Sequence, residues 1–300
     1  MDYALSVVVV TYNSMELLRR TLDSLCHQTT SALFEVVVVD DGSADGSRDL
    51  ALGYASRLHL TYLFQPDYGF RVAAARNMGI QRARADVILF LDAGILVGSR
   101  LIEMHIQRHR EGASRAVLGM SYGVFEHENL HVDLLESQID EDVDASLERL
   151  ARFASLRDCR DGFLRRIRFG MESLRSPWLL FWTGHVSVST NLLRCVSGFD
   201  EWFNRWGGED VELGIRLAQA GCQFEFLEKV FSIHYPHTKN AGSKRADSHF
   251  NVRYIHAKHA LEDTRRLLTE GWESILTSEV TMHEPVSTGT GAVLPPRAFA

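Results

Sequence analysis

Cysteine is scarce in this chain of 300 residues: Cys26, Cys159, Cys195 and Cys222 are scattered, and no two form a CxxC pair. That spacing excludes a disulfide framework and a structural zinc knot, and it fits a reduced, cytoplasmic chain. Long apolar runs are missing too. No stretch approaches the roughly 18 residues of a spanning helix, and the N-terminus runs into its first strand without a signal peptide, so only a peripheral visit to a membrane stays open. Positive charge is in deficit. A formal charge of −7 and the lack of a basic stripe interleaved with aromatics argue against nucleic acid as a partner. The common phosphate cradles are also absent: there is neither G-x-x-x-x-G-K-[ST] nor a G-x-G-x-x-G after the first strand. A nucleotide bound here therefore needs a metal ion or basic side chains against its phosphates, with acids to anchor the metal or the ribose hydroxyls.

What is present is a regular alternation of strand and helix. Ser6-Val-Val-Val-Val10 is a β-branched run of the kind a strand buried on both faces shows, ending at Thr11-Tyr12-Asn13. Asn13 and Glu16 have capping-box spacing, and Leu17, Leu18, Thr21, Leu22 and Leu25 mark one face of the helix that follows. Phe34 to Val39 reads as a second strand ending at Asp40-Asp41-Gly42-Ser43, and Leu60 to Phe64 as a third. Val72 to Ala85 reads as a helix and Asp86 to Leu91 as a strand ending at Asp92. The alternation predicts an α/β fold, a doubly wound, mostly parallel sheet flanked by helices. Ligands of such sheets sit beyond the carboxyl ends of the strands, so Thr11 to Asn13, Asp40 to Asp41 and Asp92 should converge on one crevice. Any one of these acids could equally be a turn residue; several on the same edge point to a site.

A second signal lies downstream. Trp206-Gly-Gly-Glu-Asp-Val-Glu-Leu-Gly-Ile-Arg-Leu217 puts Glu209 and Asp210 on a glycine pair at the mouth of a helix, with Val211, Ile215 and Ala218 at helical spacing and Gly221 as a stop. Gly207 and Gly208 let the backbone approach a bound molecule. Acidic residues also suit a helix N-terminus on electrostatic grounds alone.

Taken in order, Val7-Val-Val-Val-Thr-Tyr-Asn13, Val39-Asp-Asp-Gly-Ser43, Asp67-Tyr-Gly-Phe-Arg71, Ala75-Arg-Asn-Met-Gly79, Phe90-Leu-Asp92, Gly198-Phe-Asp200, Trp206-Gly-Gly-Glu-Asp210 and His234-Tyr-Pro-His237 resemble the family-2 glycosyltransferases of GT-A fold. The C-terminal half is similar to their galactosyltransferase-like and chondroitin-polymerase-like branches. The resemblance implies an inverting glycosyltransferase acting on a nucleoside-diphosphate sugar, with uracil favoured over guanine as the base. It implies that Thr11, Tyr12 and Asp40, with Asn13 and Asp41 beside them, hold the nucleobase end, that Arg71, Arg76 and Asn77 line the donor pocket, and that Asp92 opens an Asp-x-Asp metal motif. Asp210 would be the general base and Glu209 would grip a hydroxyl, while Trp202, Trp206, Gly207 and Gly208 would face the acceptor and His234 would reach the metal.

One departure matters. The family's second aspartate is replaced in Asp92-Ala93-Gly94. Magnesium or manganese on Asp92, His234 and diphosphate oxygens is then one route, since such ions accept few protein ligands when phosphates take part. Metal-independent stabilisation by Arg71, Arg76, Lys239 or Lys244 is the other. At a helix N-terminus Asp210 is expected to stay ionised and to be only a modest base. His237, beside His234, is a weaker ligand candidate.

The expected organisation is one domain over 1–270, divided into a nucleotide-sugar half (1–120), an acceptor-side insertion (121–182) and a base-bearing half (183–270), then an extension (271–300) with a loose tail from about Thr281 to Ala300. Within the insertion, Trp178 and Trp182 read either as packing residues or as sugar platforms. Phe199, Asp200 and Phe203 should hold their loop in place. Two rivals remain on sequence: a sugar nucleotidyltransferase, which lacks support because Thr11 to Met15 is not a glycine- and lysine-rich loop, and a nucleotide-sugar-binding protein that has lost catalysis.

Overall fold

The computed structural model describes residues 2–112, 114–124, 131–237 and 241–283. Its first half runs β1 (Leu5–Thr11), α1 (Met15–Cys26), β2 (Phe34–Asp40), α2 (Ser47–Gly53), β3 (Leu60–Phe64), α3 (Val72–Arg82), β4 (Val87–Asp92), β5 (Ile95–Val97) and α4 (Leu101–Arg110). Then come β6 (Arg115–Tyr122), α5 (Val132–Ser137), α6 (Val143–Leu150), α7 (Asp161–Arg166), β7 (His185–Ser189) and α8 (Thr190–Cys195). The chain continues through α9 (Glu209–Gln219), β8 (Gln223–His234), α10 (Ala241–His259), α11 (Glu262–Arg266) and α12 (Trp272–His283).

One sheet holds the strands in the order β3-β2-β1-β4-β7-β6-β8-β5. β1 pairs in parallel with β2 and β4, and β2 with β3, so this half is the expected parallel layer. Beyond it the sheet becomes mixed: β7 is antiparallel to β4 and β6, β5 is antiparallel to β8, and β6 and β8 are parallel. β7 is antiparallel because the insertion leaves β6 and enters β7 at the same end of the sheet, so no crossover is needed.

The valine runs explain the layering. Val8 and Val10 of β1, Val37 and Val39 of β2, and Ile88 and Phe90 of β4 belong to one core, with Phe199, Leu213 and Ile215 among their partners. Their alternates Val7, Val9, Val36, Val38, Leu89 and Leu91 belong to a second core, under Leu18, Leu22 and Leu25 of α1 and Ile102 and Ile106 of α4. A period-two strand with both faces buried requires apolar residues at every position, which is why these runs are continuous. A third, smaller cluster seats the insertion: Leu135, Leu150 and Leu156 pack on Leu96, Tyr122 and Ile233.

Two local expectations need correction. Asn13 does not form a capping box with Glu16. Its backbone turns into the left-handed region at φ 44°, its Oδ1 accepts from the Ala44 N–H at 2.9 Å, and α1 starts two residues later after Ser14. Helix α3 ends at Arg82 rather than Ala85, because Ala83 is extended (ψ 133°) and Ala85 is turning into β4, its N–H held by Ser6 Oγ at 3.1 Å. At the other end, α12 carries Ile275 and Leu276 fully buried into the first core, so residues 272–283 of the sequence-drawn extension pack as part of the globule. The remaining tail, 284–300, lies outside the described residues.

Candidate functional site

The path β1-α1-β2-α2-β3 moves outward on one side of β1, and α3 then carries the chain back to put β4 on the other side. This reversal makes the C-terminal ends of β1 and β4 a topological switch point, where a crevice opens. The register brings the polar strand ends together: Thr11 lies beside Asp40, and Val10 beside Asp92. Thr11 is 2% exposed and its Oγ1 has no hydrogen-bond partner among the described residues. Tyr12 is half-exposed, and its hydroxyl donates to Asp67 at 2.9 Å. Asp41 accepts from the Gln65 side chain and, at 3.0 Å, from the Arg71 N–H; burial pushes its carboxyl above the usual range.

The third position of the Asp92-Ala93-Gly94 turn has a conformational reason to be glycine. Gly94 has φ 98°, where an L side chain is strained, and its N–H donates to Thr21 Oγ1 of α1 at 2.9 Å. Its carbonyl accepts from the Tyr235 N–H at 2.8 Å, which fixes His234 next to the β4–β5 turn.

Across the crevice, α9 begins on Gly208, whose φ of 93° only glycine adopts readily. The preceding loop is held from below. Phe199 and Phe203 are buried, Asp200 accepts from Tyr254 Oη at 2.6 Å and Lys258 Nζ at 2.7 Å, and Asn251 Nδ2 donates to the carbonyls of Arg205 (3.2 Å), Trp206 (3.2 Å) and Gly207 (2.5 Å). One turn into α9, Glu212 is fully buried. It is bound by Arg216 (2.6 Å), Lys258 (2.6 Å) and His259 (3.0 Å), and these cationic and hydrogen-bonding partners outweigh desolvation and depress its carboxyl to about 2.

Arg76 joins the two halves. Buried on α3, it reaches Asp92 Oδ1 at 3.0 Å and Glu209 Oε1 at 2.9 Å, across a sequence separation of 133 residues. Glu209 Oε2 is buried and without a partner among the described residues, so the carboxylate keeps one acceptor for a ligand hydroxyl. Asp210 beside it is pushed up to about 7: burial is the larger cause and the Glu209 carboxylate the next, opposed by Arg76 and by the Val211 and Thr183 N–H groups. The expectation of an ordinary ionised Asp210 is thus corrected, because the favourable helix terminus is outweighed by desolvation and a like charge.

The two halves meet in one cleft of about 850 Å³. Thr11, Tyr12, Asp41, Arg76 and Asp92 contribute from the strand ends, Trp206, Gly207, Gly208, Glu209 and Asp210 from the loop and α9, and His234 from the end of β8. Against this architecture, the profile described as "Glycosyl transferase family 2" matches residues 6–176, and that described as "N-terminal domain of galactosyltransferase" matches residues 167–240. The chain belongs to glycosyl transferase family 2. Its GT-A fold is shared with solved family structures. Staphylococcus aureus TarS 1-349 in complex with UDP-GlcNAc superposes with TM-score 0.58 at 17% identity, over 86% of this chain and 66% of that one. The mannosyltransferase PcManGT from Pyrobaculum calidifontis, in complex with GDP-Man and Mn2+, gives 0.55 at 18% identity, over 95% and 71%. Among curated relatives, validoxylamine A glucosyltransferase of Streptomyces hygroscopicus subsp. jinggangensis is 37% identical over 85% of this chain and 61% of its own length. Chondroitin synthase of Escherichia coli is 27% identical over 85% and 38%. The chain therefore spans about three fifths of the first of these curated relatives and less than two fifths of the second.

Several residues singled out in this family 2 sequence lie off the cleft. Asp40 is fully buried, accepting from Ser43 N–H and Tyr62 Oη, both at 2.7 Å. Asn77 clamps the 199–201 turn through Phe199 N and O and Glu201, and Asn13 serves the Ala44 turn. Arg71 lies over the Tyr68 ring. Trp202 is stacked on Tyr254, with ring centroids 3.6 Å apart, so at least one of its faces is taken. Trp178 is buried against Gly214 of α9, the packing alternative. Lys239 and the side chain of Lys244 lie outside the described residues. Sequence reading missed Thr183, Ser248 and Trp272, which line the cleft, and Asn251 beneath it. None stands in a recognisable motif, and only tertiary packing brings them there.

No three His, Cys, Asp or Glu among the described residues form a cluster able to hold a metal by themselves. The carboxylate of Asp92 and the imidazole of His234 line the cleft together. Asp92 is 45% exposed with one oxygen on Arg76, and this donor set fits a hard cation shared with phosphate oxygens, not an all-protein cage. No described helix is long and apolar enough to cross a membrane.

Proposed function

We propose that this chain is an inverting glycosyltransferase that moves a sugar from a nucleoside diphosphate, UDP by preference, to an acceptor hydroxyl. The observation that carries the reading is the Arg76 bridge: it ties the strand-end acids to Glu209-Asp210 in one cleft large enough for a nucleotide sugar. The donor nucleotides seen with TarS and PcManGT support a diphosphate donor here. The acceptor oxygen attacks the anomeric carbon from the face opposite the diphosphate. The carbon–phosphate oxygen bond breaks as the new glycosidic bond forms, the electron pair leaves with the diphosphate, and the hydroxyl proton passes to Asp210. A base held at about 7 suits that transfer, because proton affinity and ionised fraction are both adequate at neutral pH. Glu209 Oε2 takes a sugar or acceptor hydroxyl, and Arg76 holds Glu209 and Asp92 in orientation.

Asp92 and His234 are the residues that would hold a divalent metal with the donor's diphosphate, where such an ion offsets the leaving group's charge. Thr11, Tyr12 and Asp41 would receive the nucleoside, and Trp206 with Gly207 and Gly208 the acceptor. The test is turnover with a panel of UDP-sugars and GDP-mannose, with and without a chelator, for the wild type and Asp210→Asn. The expected result is glycosyl transfer by the wild type from a UDP-sugar, and a variant that binds UDP normally but transfers 10²- to 10⁴-fold more slowly, the typical span of a general base, here about that order. Near-normal turnover by Asp210→Asn would remove Asp210 from the base role.

A further inference from the structure

The charged lining of the cleft is one-sided. Asp41, Arg76, Asp92, Glu209, Asp210 and His234 come from the strand ends, α3 and α9, whereas among the described residues Val124, Cys159, Trp182, Thr183, Ser248 and Trp272 on the remaining wall carry no charge. Two of the chain's five tryptophans form the core of that wall. Trp182 and Trp272 meet edge to face, with centroids 5.8 Å apart and planes at 88°, and both are half-buried. Each indole is held from behind. Trp182 lies over the Arg160 guanidinium at 4.4 Å and donates its N–H to the Leu179 carbonyl at 3.1 Å. Trp272 abuts Phe163 edge to face, with centroids 6.1 Å apart, and Ile275 and Leu276 anchor its helix in the core. The Trp272 N–H has no hydrogen-bond partner among the described residues. Two rigid indoles at right angles make a corner, and a free N–H on one of them adds a donor.

We propose that α12 supplies one wall of the acceptor subsite, where Trp272 and Trp182 bind an uncharged, polyhydroxylated six-membered ring, a saccharide or a cyclitol. The proposal rests on the transferase reading and deepens it. Such a ring has an apolar C–H face that packs on an indole and a rim of hydroxyls that the Trp272 N–H, Thr183 and Ser248 can meet, while Asp210 sits in the same cleft to take its proton. Among the described residues, no cationic side chain lines this wall to meet a phosphorylated or polyanionic acceptor, which favours the neutral ring.

The test uses the whole chain labelled with 5-fluorotryptophan and saturated with UDP, with Trp272→Phe assigning the Trp272 line in the 19F spectrum. Cellobiose, myo-inositol and glucose 6-phosphate are titrated separately. The expected result is a Trp272 line that moves with cellobiose or myo-inositol, telling saccharide from cyclitol, and little response to glucose 6-phosphate. Saturation-transfer signals on the responding polyol should survive in Trp272→Phe, while Trp272→Ala should bind it about tenfold more weakly, as truncating a tryptophan contact typically does. UDP affinity should be the same in all three proteins. A Trp272 line unmoved by either neutral ring, or moved only by glucose 6-phosphate, overturns the proposal and leaves the donor reading intact. If UDP itself fails to bind the wild-type protein, the transferase reading falls and this proposal with it.

Discussion

At the scale of single residues, the proposed role of Asp210 links rate to stability. Its proton must be off for it to act as base, so the rate should fall on the acid side of about 7, by roughly tenfold for each pH unit below that value. A pH–rate profile checks this, and in Asp210→Asn the limb should vanish from the residual activity. The stability sign follows from the same shift. A carboxyl whose folded-state value lies above its unfolded one disfavours the fold once ionised, so stability falls as pH rises from the ordinary carboxylate range to about 7 and is level beyond it. Asp210→Asn should therefore melt higher than the wild type at pH 8, measured by calorimetry. Gly94 gives a second residue-level outcome. Gly94→Asp would supply the carboxylate absent from Asp92-Ala93-Gly94, yet φ 98° strains any L side chain there, so thermal denaturation should show a loss of about 1–3 kcal/mol.

At the scale of elements, α10 works as a brace for the loop that enters α9. Asn251, 1% exposed, ties three successive carbonyls, and Tyr254 and Lys258 hold Asp200 at the loop's start. Replacing Asn251 removes these hydrogen bonds to the loop backbone and leaves a buried position without its polar contacts, at a cost of about 1–3 kcal/mol. Asn251→Asp, which keeps the shape but removes the donor, should lower kcat about as much as Asn251→Ala and leave UDP affinity unchanged, measured by steady-state kinetics beside calorimetric titration. A wild-type kcat in Asn251→Asp would mean that the hydrogen bonds do not position the loop. The motif residues of α9 were legible because their glycines, acids and apolar spacing are local signals. Their brace was not, because an asparagine inside a helix carries no mark of the three carbonyls it will meet.

For the whole molecule, acid sensitivity is built into the sheet. His105 and His109 of α4 and His185 of β7 form a buried network with Ser187, Ser232 and Ser121: His105 Nε2 lies 3.0 Å from His185 Nε2, His105 Nδ1 2.7 Å and His109 Nε2 2.8 Å from Ser187 Oγ, and Ser232 Oγ 3.0 Å from His185 Nδ1. Burial lowers all three imidazoles, His109 and His185 to about 4 and His105 well below its ordinary value. Because the unfolded chain takes up these protons first, the stabilising contribution is complete above about 6.5 and is lost as pH falls toward 4. By pH 5 the loss is on the order of 2 kcal/mol for each of His109 and His185. The melting temperature should drop accordingly between pH 7.5 and 5; an unchanged value would show that these histidines are not held neutral.

The sequence by itself determined the parallel half of the sheet, the acids on its edge and the acidic pair opening α9. Strand burial, helix faces and turn glycines are written in residues close along the chain, where backbone sterics and side-chain periodicity act. Tertiary structure alone decided that Arg76 would bridge Asp92 and Glu209, that Asp40, Asn13 and Asn77 would serve turns instead of lining the cleft, and that Trp272 would stand in its wall. Desolvation and like-charge repulsion depend on what packs around a group, so the shift of Asp210 could arise only once strand ends, loop and C-terminal helices had closed around it.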